Sequence, residues 1–266
     1  MQIDSVQLVV YSPTGTTRRV LAAVAEGVGA ASVSVLDLTL PATLPAEQVQ
    51  VDAGLVLVGA PVYGGRVPLT QMARLSLVRG TVTPAALVVV YGNRAWEDAL
   101  VELEDWAHPA GFVPFAGAAF VGEHSFSSEV APIAPGRPDD ADLASARRFG
   151  AILRQRMASA AARLDLKPIG MPGDRPYRER SSREPVAPET DPALCTLCGA
   201  CAAVCPTQAV SVGHAVTTDA RACTLCCACI RACPTGARAM LDQSVLRIAR
   251  WLSTDYGARR EPKFIV

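Results

Sequence analysis

The sequence predicts an α/β protein, a doubly wound parallel sheet of five strands followed by a linker and a small α+β domain. Three observations predict it. Five apolar runs of strand length alternate with helical patterns in the first 166 residues. A stretch dense in proline and charge then breaks the hydrophobic patterning, and beyond it two cysteine runs repeat one spacing. The boundaries expected are 1–166 for the sheet domain, 167–190 for the linker, 191–242 for the cysteine-rich domain and 243–266 for a C-terminal helix and tail.

Residues 5–11, SVQLVVY, read as the first strand, and SPTGTT leads from it into a helix with Val20, Leu21, Val24 and Val28 on one side. SVSVLDL at 32–38 and GLVLVGA at 54–60 read as the second and third strands, Ala86 to Tyr91 as the fourth, and a fifth lies within Phe112 to Val121. A short helix is expected around Thr70 to Val78. A second runs from Trp96 to Trp106, where Trp96, Leu100 and Leu103 recur at helical spacing. Strands this continuously apolar are buried on both faces, as in a parallel sheet covered by helices. Asp139 or Asp140 then offers an N-cap for a long helix carrying Leu143, Phe149, Ile152, Leu153, Met157 and Leu164. From Lys167 to Pro192 proline and charge predict an extended linker, able to reach about 85 Å when fully stretched. Val245, Leu246, Ile248, Ala249 and Leu252 predict a short amphipathic helix packed on its own protein, followed by an exposed tail.

Composition excludes several classes. With 25 basic and 25 acidic residues the formal net charge is zero, so nothing argues for nucleic acid or an anionic membrane as partner. No run reaches the roughly 18–20 apolar residues of a spanning helix, which excludes membrane insertion. The first residues, MQIDSVQLVVYS, lack the basic and long apolar regions of a signal peptide, and a cytoplasmic protein is expected.

The cysteine runs are CTLCGACAAVCP from Cys195 and CTLCCACIRACP from Cys223, each Cys-x2-Cys-x2-Cys-x3-Cys-Pro. In bacterial ferredoxins this spacing holds two [4Fe-4S] clusters, the fourth cysteine of each run ligating the other cluster. One cluster is therefore expected on Cys195, Cys198, Cys201 and Cys233, the other on Cys223, Cys226, Cys229 and Cys205. Paired zinc sites leave the third cysteine of each run unexplained, and a disulfide framework needs an oxidising compartment. Cys227 takes the place of Gly199 in the first run and reads as a small packing residue. Arg231 and Arg238 lie close to the second run, where positive charge favours a reduced cluster.

In the first domain, Ser12-Pro13-Thr14-Gly15-Thr16-Thr17 joins a strand to a helix N-terminus, a place that favours an anion but is equally a place for a simple helix cap. It is neither a nucleoside triphosphate loop nor the G-x-G-x-x-G fingerprint. The third strand ends in Pro61-Val62-Tyr63-Gly64-Gly65-Arg66, and the fourth in Tyr91-Gly92-Asn93-Arg94-Ala95-Trp96, both glycine-containing turns with an aromatic and an arginine. Together they offer a flat wall and backbone donors for a planar ring. His124 follows the fifth strand on the same side, as a flavin hydrogen bond, a proton shuttle or a loop cap. Glu97, Asp98, Glu102 and Asp105 are expected on a solvated helix face, which is also able to dock a partner.

The combination resembles a flavodoxin-type FMN domain fused to a two-cluster ferredoxin, and specifically the EFR-type ferrodoxin family. The resemblance runs through SPTGTT, PVYGGRVP at 61–68, YGNRAWEDAL at 91–100, GEHSF at 122–126, MPGDRPYRE at 171–179 and both cysteine runs. It implies the strand order 2-1-3-4-5 and FMN with its phosphate at Ser12, Thr14, Gly15, Thr16 and Thr17. The ring would lie between Pro61, Val62, Tyr63, Gly64 and Gly65 on one loop and Tyr91, Gly92, Asn93 and Arg94 on the other. The phosphate loop departs from the family's usual S-G-T-G-N-T, because Pro13 lacks an N–H and Thr16 replaces the asparagine.

The leading expectation is an electron-transfer iron–sulfur flavoprotein that couples two-electron FMN to one-electron clusters, serving a redox partner protein or a small-molecule donor or acceptor. One rival is a flavin-dependent reductase with His124, Tyr63 or Arg66 against its substrate. A second is a ferredoxin module on an FMN-free docking scaffold.

Overall fold

A computed structural model describes residues 3–162, 165–180 and 184–266. Five parallel strands form the centre: β1 (Ser5–Val10), β2 (Ser32–Asp37), β3 (Leu55–Pro61), β4 (Thr83–Tyr91) and β5 (Phe112–Val121). Their order is β2-β1-β3-β4-β5, the flavodoxin-like one. The sheet has a sixth member that the sequence reading missed. At the chain's end β6 (Lys263–Ile265) pairs antiparallel with β5, so the expected exposed tail instead covers a sheet edge.

Helices α1 (Thr16–Val28) and α4 (Asp140–Ser159) pack on one face, α2 (Leu69–Leu75) and α3 (Ala99–Ala107) on the other. The alternation of the strands divides the core: Leu8, Val10 and Leu57 meet α1 and α4, whereas Val9, Val56 and Val58 meet the other layer. Each such Val or Leu contributes about 1.5–3 kcal/mol when fully buried. Helices α1 and α4 cross at two glycines. A Cβ on Gly27 would lie 1.9 Å from the Arg147 carbonyl oxygen, and one on Gly150 2.1 Å from that of Val24.

β2 corrects the expectation of double burial. It is a sheet edge, with Val33 49% and Val35 44% exposed. Asp139 caps α4 in a reciprocal box with Asp142, and the helix ends at Ser159, while Leu164 lies outside the described residues. α2 stops before Val78, which pairs with Val49 in a separate short ladder. Trp96 sits in the turn before α3, its ring edge-on to Tyr91 at 5.3 Å.

The cysteine-rich domain has little regular structure: α5 (Ala200–Ala203), α6 (Ala228–Arg231), and two-stranded ribbons pairing Val210–Val212 with Val216–Thr218 and Glu189–Thr190 with Arg238–Ala239. Helix α7 (Gln243–Asp255) follows and seats Ala249 and Leu252 on Ala131 and Ile133 of the first domain. Among the described residues no helix is long and apolar enough to cross a membrane.

The linker is not free. Residues 169–180 form a strap along β5 and α3, beginning where Ile169 N–H donates to the Pro114 carbonyl. The N–H groups of Asp174 and Arg178 donate to the two carboxylate oxygens of Asp98 at 2.9 and 2.7 Å. Arg175 pairs with Glu104 and Asp105, and Arg180 with Glu102. Asp98, Glu102 and Asp105 are therefore engaged by the chain itself, with Asp105 still partly exposed. Asp98 and Glu102 are buried, Asp98 under backbone N–H groups of the strap and Glu102 under Arg66 and Arg180.

Candidate functional site

The carboxyl ends of β1, β3, β4 and β5 open onto one cleft of about 330 Å³, the size range of small-molecule sites. On the β1 side, Ser12, Thr14, Thr16 and Thr17 line it. The Ser12 hydroxyl accepts from Arg18 N–H at 3.1 Å, while its own N–H donates to Thr39 Oγ1 at 2.8 Å. That pins the loop. The N-cap of α1, Gly15 at φ 81°, has no side chain to offer, so with Ser12 taking the Arg18 N–H the N–H groups of Thr16 and Thr17 stay available to an anion. Thr17 Oγ1 is buried without a partner, and nothing lies within 4 Å of a Cβ built on Gly15 or Gly64. A polar cradle of this kind fits a phosphate.

Pro61, Val62, Tyr63, Gly64 and Gly65 form a second wall, and Tyr91, Gly92 and Arg94 a third. Asn93 does not belong there. Its amide is turned to the C-terminal segment, donating to the carbonyls of Tyr256 and Ala258. Arg66 is also turned away, bound to both Glu102 oxygens at 2.8 Å, donating to the Arg178 carbonyl and stacked 4.2 Å from the Tyr177 ring. A reductase thus loses one of its expected substrate contacts.

His124 lines the cleft and packs on Gly92, where a Cβ would meet its ring at 2.1 Å. Its Nδ1 accepts from Phe126 N–H at 3.0 Å, which leaves the ring proton on Nε2. Burial, reinforced by Arg231 and Arg94, lowers its pKa to about 4. The imidazole is neutral at pH 7, a loop cap with one donor to spare.

Three walls escaped sequence reasoning. Ile248, Trp251 and Leu252 come from α7, Arg180 from the strap, and Thr224 and Leu225 from the second cysteine run. The apolar stripe of α7 was visible, but its destination was not. The cleft therefore lies at the junction of the two domains. There the Tyr63 pKa is raised well above the usual phenol value by burial, then by Cys226. Tyr11 is raised for the same two reasons, against the pull of Arg74. Arg74 donates to the Pro206 carbonyl and Arg231 to that of His124, tying the domains on either side.

The first expected ligand set, Cys195, Cys198, Cys201 and Cys233, rings one small cavity together with Arg238. In the second set, Cys223 lies in the field of Cys229 and Cys205, and Cys226 in that of Cys229 and Cys223. Burial pushes the Cys226 thiol up to about 11. Cys227 is buried at φ 57°, on the N-cap of α6 as Gly199 is on that of α5, and its Sγ donates to the Leu225 carbonyl. The four thiols around that small cavity are of the soft type that fits an iron–sulfur cluster.

Residues 188–211 match the model of the 4Fe-4S binding domain, which makes this segment a 4Fe-4S cluster-binding one. No curated protein matches the chain. Among solved structures it is similar to a flavodoxin from the domain Archaea, with 13% identity over 58% of this chain and 98% of that one at a TM-score of 0.38. It is also similar to the flavodoxin of Streptococcus pneumonia TIGR4, with 17% identity, 57% and 99% coverage and a TM-score of 0.41. For the rubredoxin oxygen:oxidoreductase of Desulfovibrio gigas the values are 16%, 59% and 37%, and 0.41. The strand order, not these scores, makes the first domain flavodoxin-like.

Proposed function

We propose that this chain is an electron-transfer flavoprotein of the EFR-type ferrodoxin kind, holding FMN in the junction cleft and two [4Fe-4S] clusters on the eight paired cysteines. The observation that carries the proposal is the shared cleft. Thr224 and Leu225, between ligands Cys223 and Cys226, line the same space as the Ser12–Thr17 loop and Tyr63. FMN, when bound, supplies exchange of two electrons, and each cluster exchange of one. Thr14, Thr16, Thr17 and the N-terminus of α1 bind the phosphate, with Thr17 Oγ1 gaining the partner it lacks. The loops at 61–65 and 91–94 hold the ring, and the spare Nε2–H of His124 orients it. Ile248, Trp251 and Leu252 exclude water from the junction.

Anaerobic purification with flavin supplied, followed by iron, sulfide and flavin analysis, tests the composition. About eight iron atoms and one FMN per chain are expected, and absence of flavin would leave only the docking-scaffold reading. Mixing chemically reduced protein with limiting oxidant in a single turnover then tests the relay, with cluster and flavin absorbance expected to relax together.

A further inference from the structure

Arg231 and Arg238 look equivalent in the sequence, two arginines beside the second cysteine run. Their surroundings differ. Arg231 is partly exposed, pairs with Glu123 and donates to the His124 carbonyl, so its charge is answered. Arg238 is 3% exposed, and among the described residues no carboxylate reaches it within ion-pair distance. Its Nη1 donates to Thr190 Oγ1 at 2.7 Å and its Nη2 to Thr218 Oγ1 at 3.0 Å, both neutral acceptors. A buried guanidinium without an anion carries a heavy desolvation cost, which neutral hydroxyls offset only in part.

The anions it lacks are on the cysteines, in both sets. Arg238 Nη2 lies 3.5 Å from Cys229 Sγ, a member of the second set. The same side chain lines the cavity ringed by the first set, and among the described residues its buried Nε has no hydrogen-bond partner. One side chain thus touches a ligand of one expected cluster and lines the cavity of the other. The ribbon pairing Arg238 with Thr190 holds it there, and Arg has the planar fork that such divided bonding needs.

From this geometry we infer that Arg238 is the shared counter-charge of both clusters, positioned between them and raising both reduction potentials together. The inference rests on the two-cluster reading proposed above. Each cluster gains one negative charge when it accepts one electron from an external donor such as dithionite. A fixed cation between them therefore favours the reduced form of each. Sharing it keeps the two potentials close, which suits a chain that passes single electrons through both.

The test is an anaerobic redox titration with dithionite, followed by electron paramagnetic resonance, on wild-type protein, Arg238→Met and Arg238→Lys, with iron counted in each. In Arg238→Met both potentials are expected to fall, the reduction equilibrium constant of each cluster dropping about tenfold, or about 59 mV for a one-electron couple. Arg238→Lys is expected to keep its iron and to shift both potentials less. Loss of iron in the methionine variant alone also supports a required charge. The inference is overturned if the methionine variant keeps its iron with unchanged potentials, or if only one cluster moves. It is equally overturned if the lysine variant loses iron or shifts as far as methionine. If the wild-type protein itself holds only one cluster, the two-cluster reading fails instead, an outcome the iron count separates.

Discussion

Arg74 of α2 donates through Nη2 to the backbone carbonyl of Pro206, the residue next to Cys205. Its Nη1 meanwhile donates to the carbonyls of Leu38 and Thr39 at the end of β2. One side chain thus fastens the second cysteine set to the mouth of the sheet. Hydrogen bonds from a charged donor are worth about 1.5–3 kcal/mol. Arg74→Ala is expected to keep its iron and flavin yet slow electron exchange between them several-fold, read by single-turnover mixing. An unchanged rate would mean that Arg74 does not govern the docking.

Glu102 is the centre of the strap. It accepts from Arg66 at 2.8 Å through both oxygens, from Val67 N–H at 2.9 Å and from Arg180 at 2.8 Å. Removing one partner of a buried pair leaves the other charge uncompensated, at a cost of about 3–5 kcal/mol. Glu102→Gln is expected to lower Tm clearly and to open residues 169–180 to limited proteolysis. A protease-resistant variant of wild-type Tm would contradict the strap.

Thr17 tests what the cleft binds. Its hydroxyl is buried without a partner, so Thr17→Val removes nothing the apoprotein uses. FMN affinity is expected to fall about tenfold, near 1.4 kcal/mol and typical of one hydrogen bond to a charged group, while riboflavin affinity stays constant. Equal losses for both ligands in fluorescence titrations would move the phosphate away from this loop.

His124 carries a pH signature. Its folded pKa, lowered to about 4, lies below the unfolded value of 6.5. The unfolded chain then binds the extra proton between those values. The stability from its neutral form is fully present above pH 6.5 and is lost as pH falls toward 4. Thermal melts of the wild type should therefore drop more steeply from pH 7 to pH 5 than those of His124→Gln, and parallel curves would place the acid sensitivity elsewhere.

Where chemistry was local in sequence it was legible. The grouping of Cys195, Cys198 and Cys201 follows from their spacing, and the partnership with Cys233 from the repeat of that spacing. Continuous apolar runs marked β3 and β4 because both are buried along their whole length. β6 escaped because three residues are too few for alternation to register, and its edge position depends on β5, far away in the chain. The α3 acids were misread for a related reason. Arg175 and Asp105 are each ordinary surface residues by type, and only the return of the chain brings them together. Asn93 sits in a ligand-facing turn by sequence, yet the C-terminal segment takes its amide.

By itself, the sequence determined the alternation of strands and helices, the doubled cysteine spacing and the loops that face the mouth of the sheet, because periodicity and spacing are written over a few neighbouring residues. Only the tertiary structure decided that residues 169–180 and the tail are tied down, that α7 and the second cysteine run complete the cleft, and that Arg238 is buried beside Cys229. Those outcomes depend on which distant charges and apolar faces remain unsatisfied once each domain has formed, and that is settled only when the chain closes on itself.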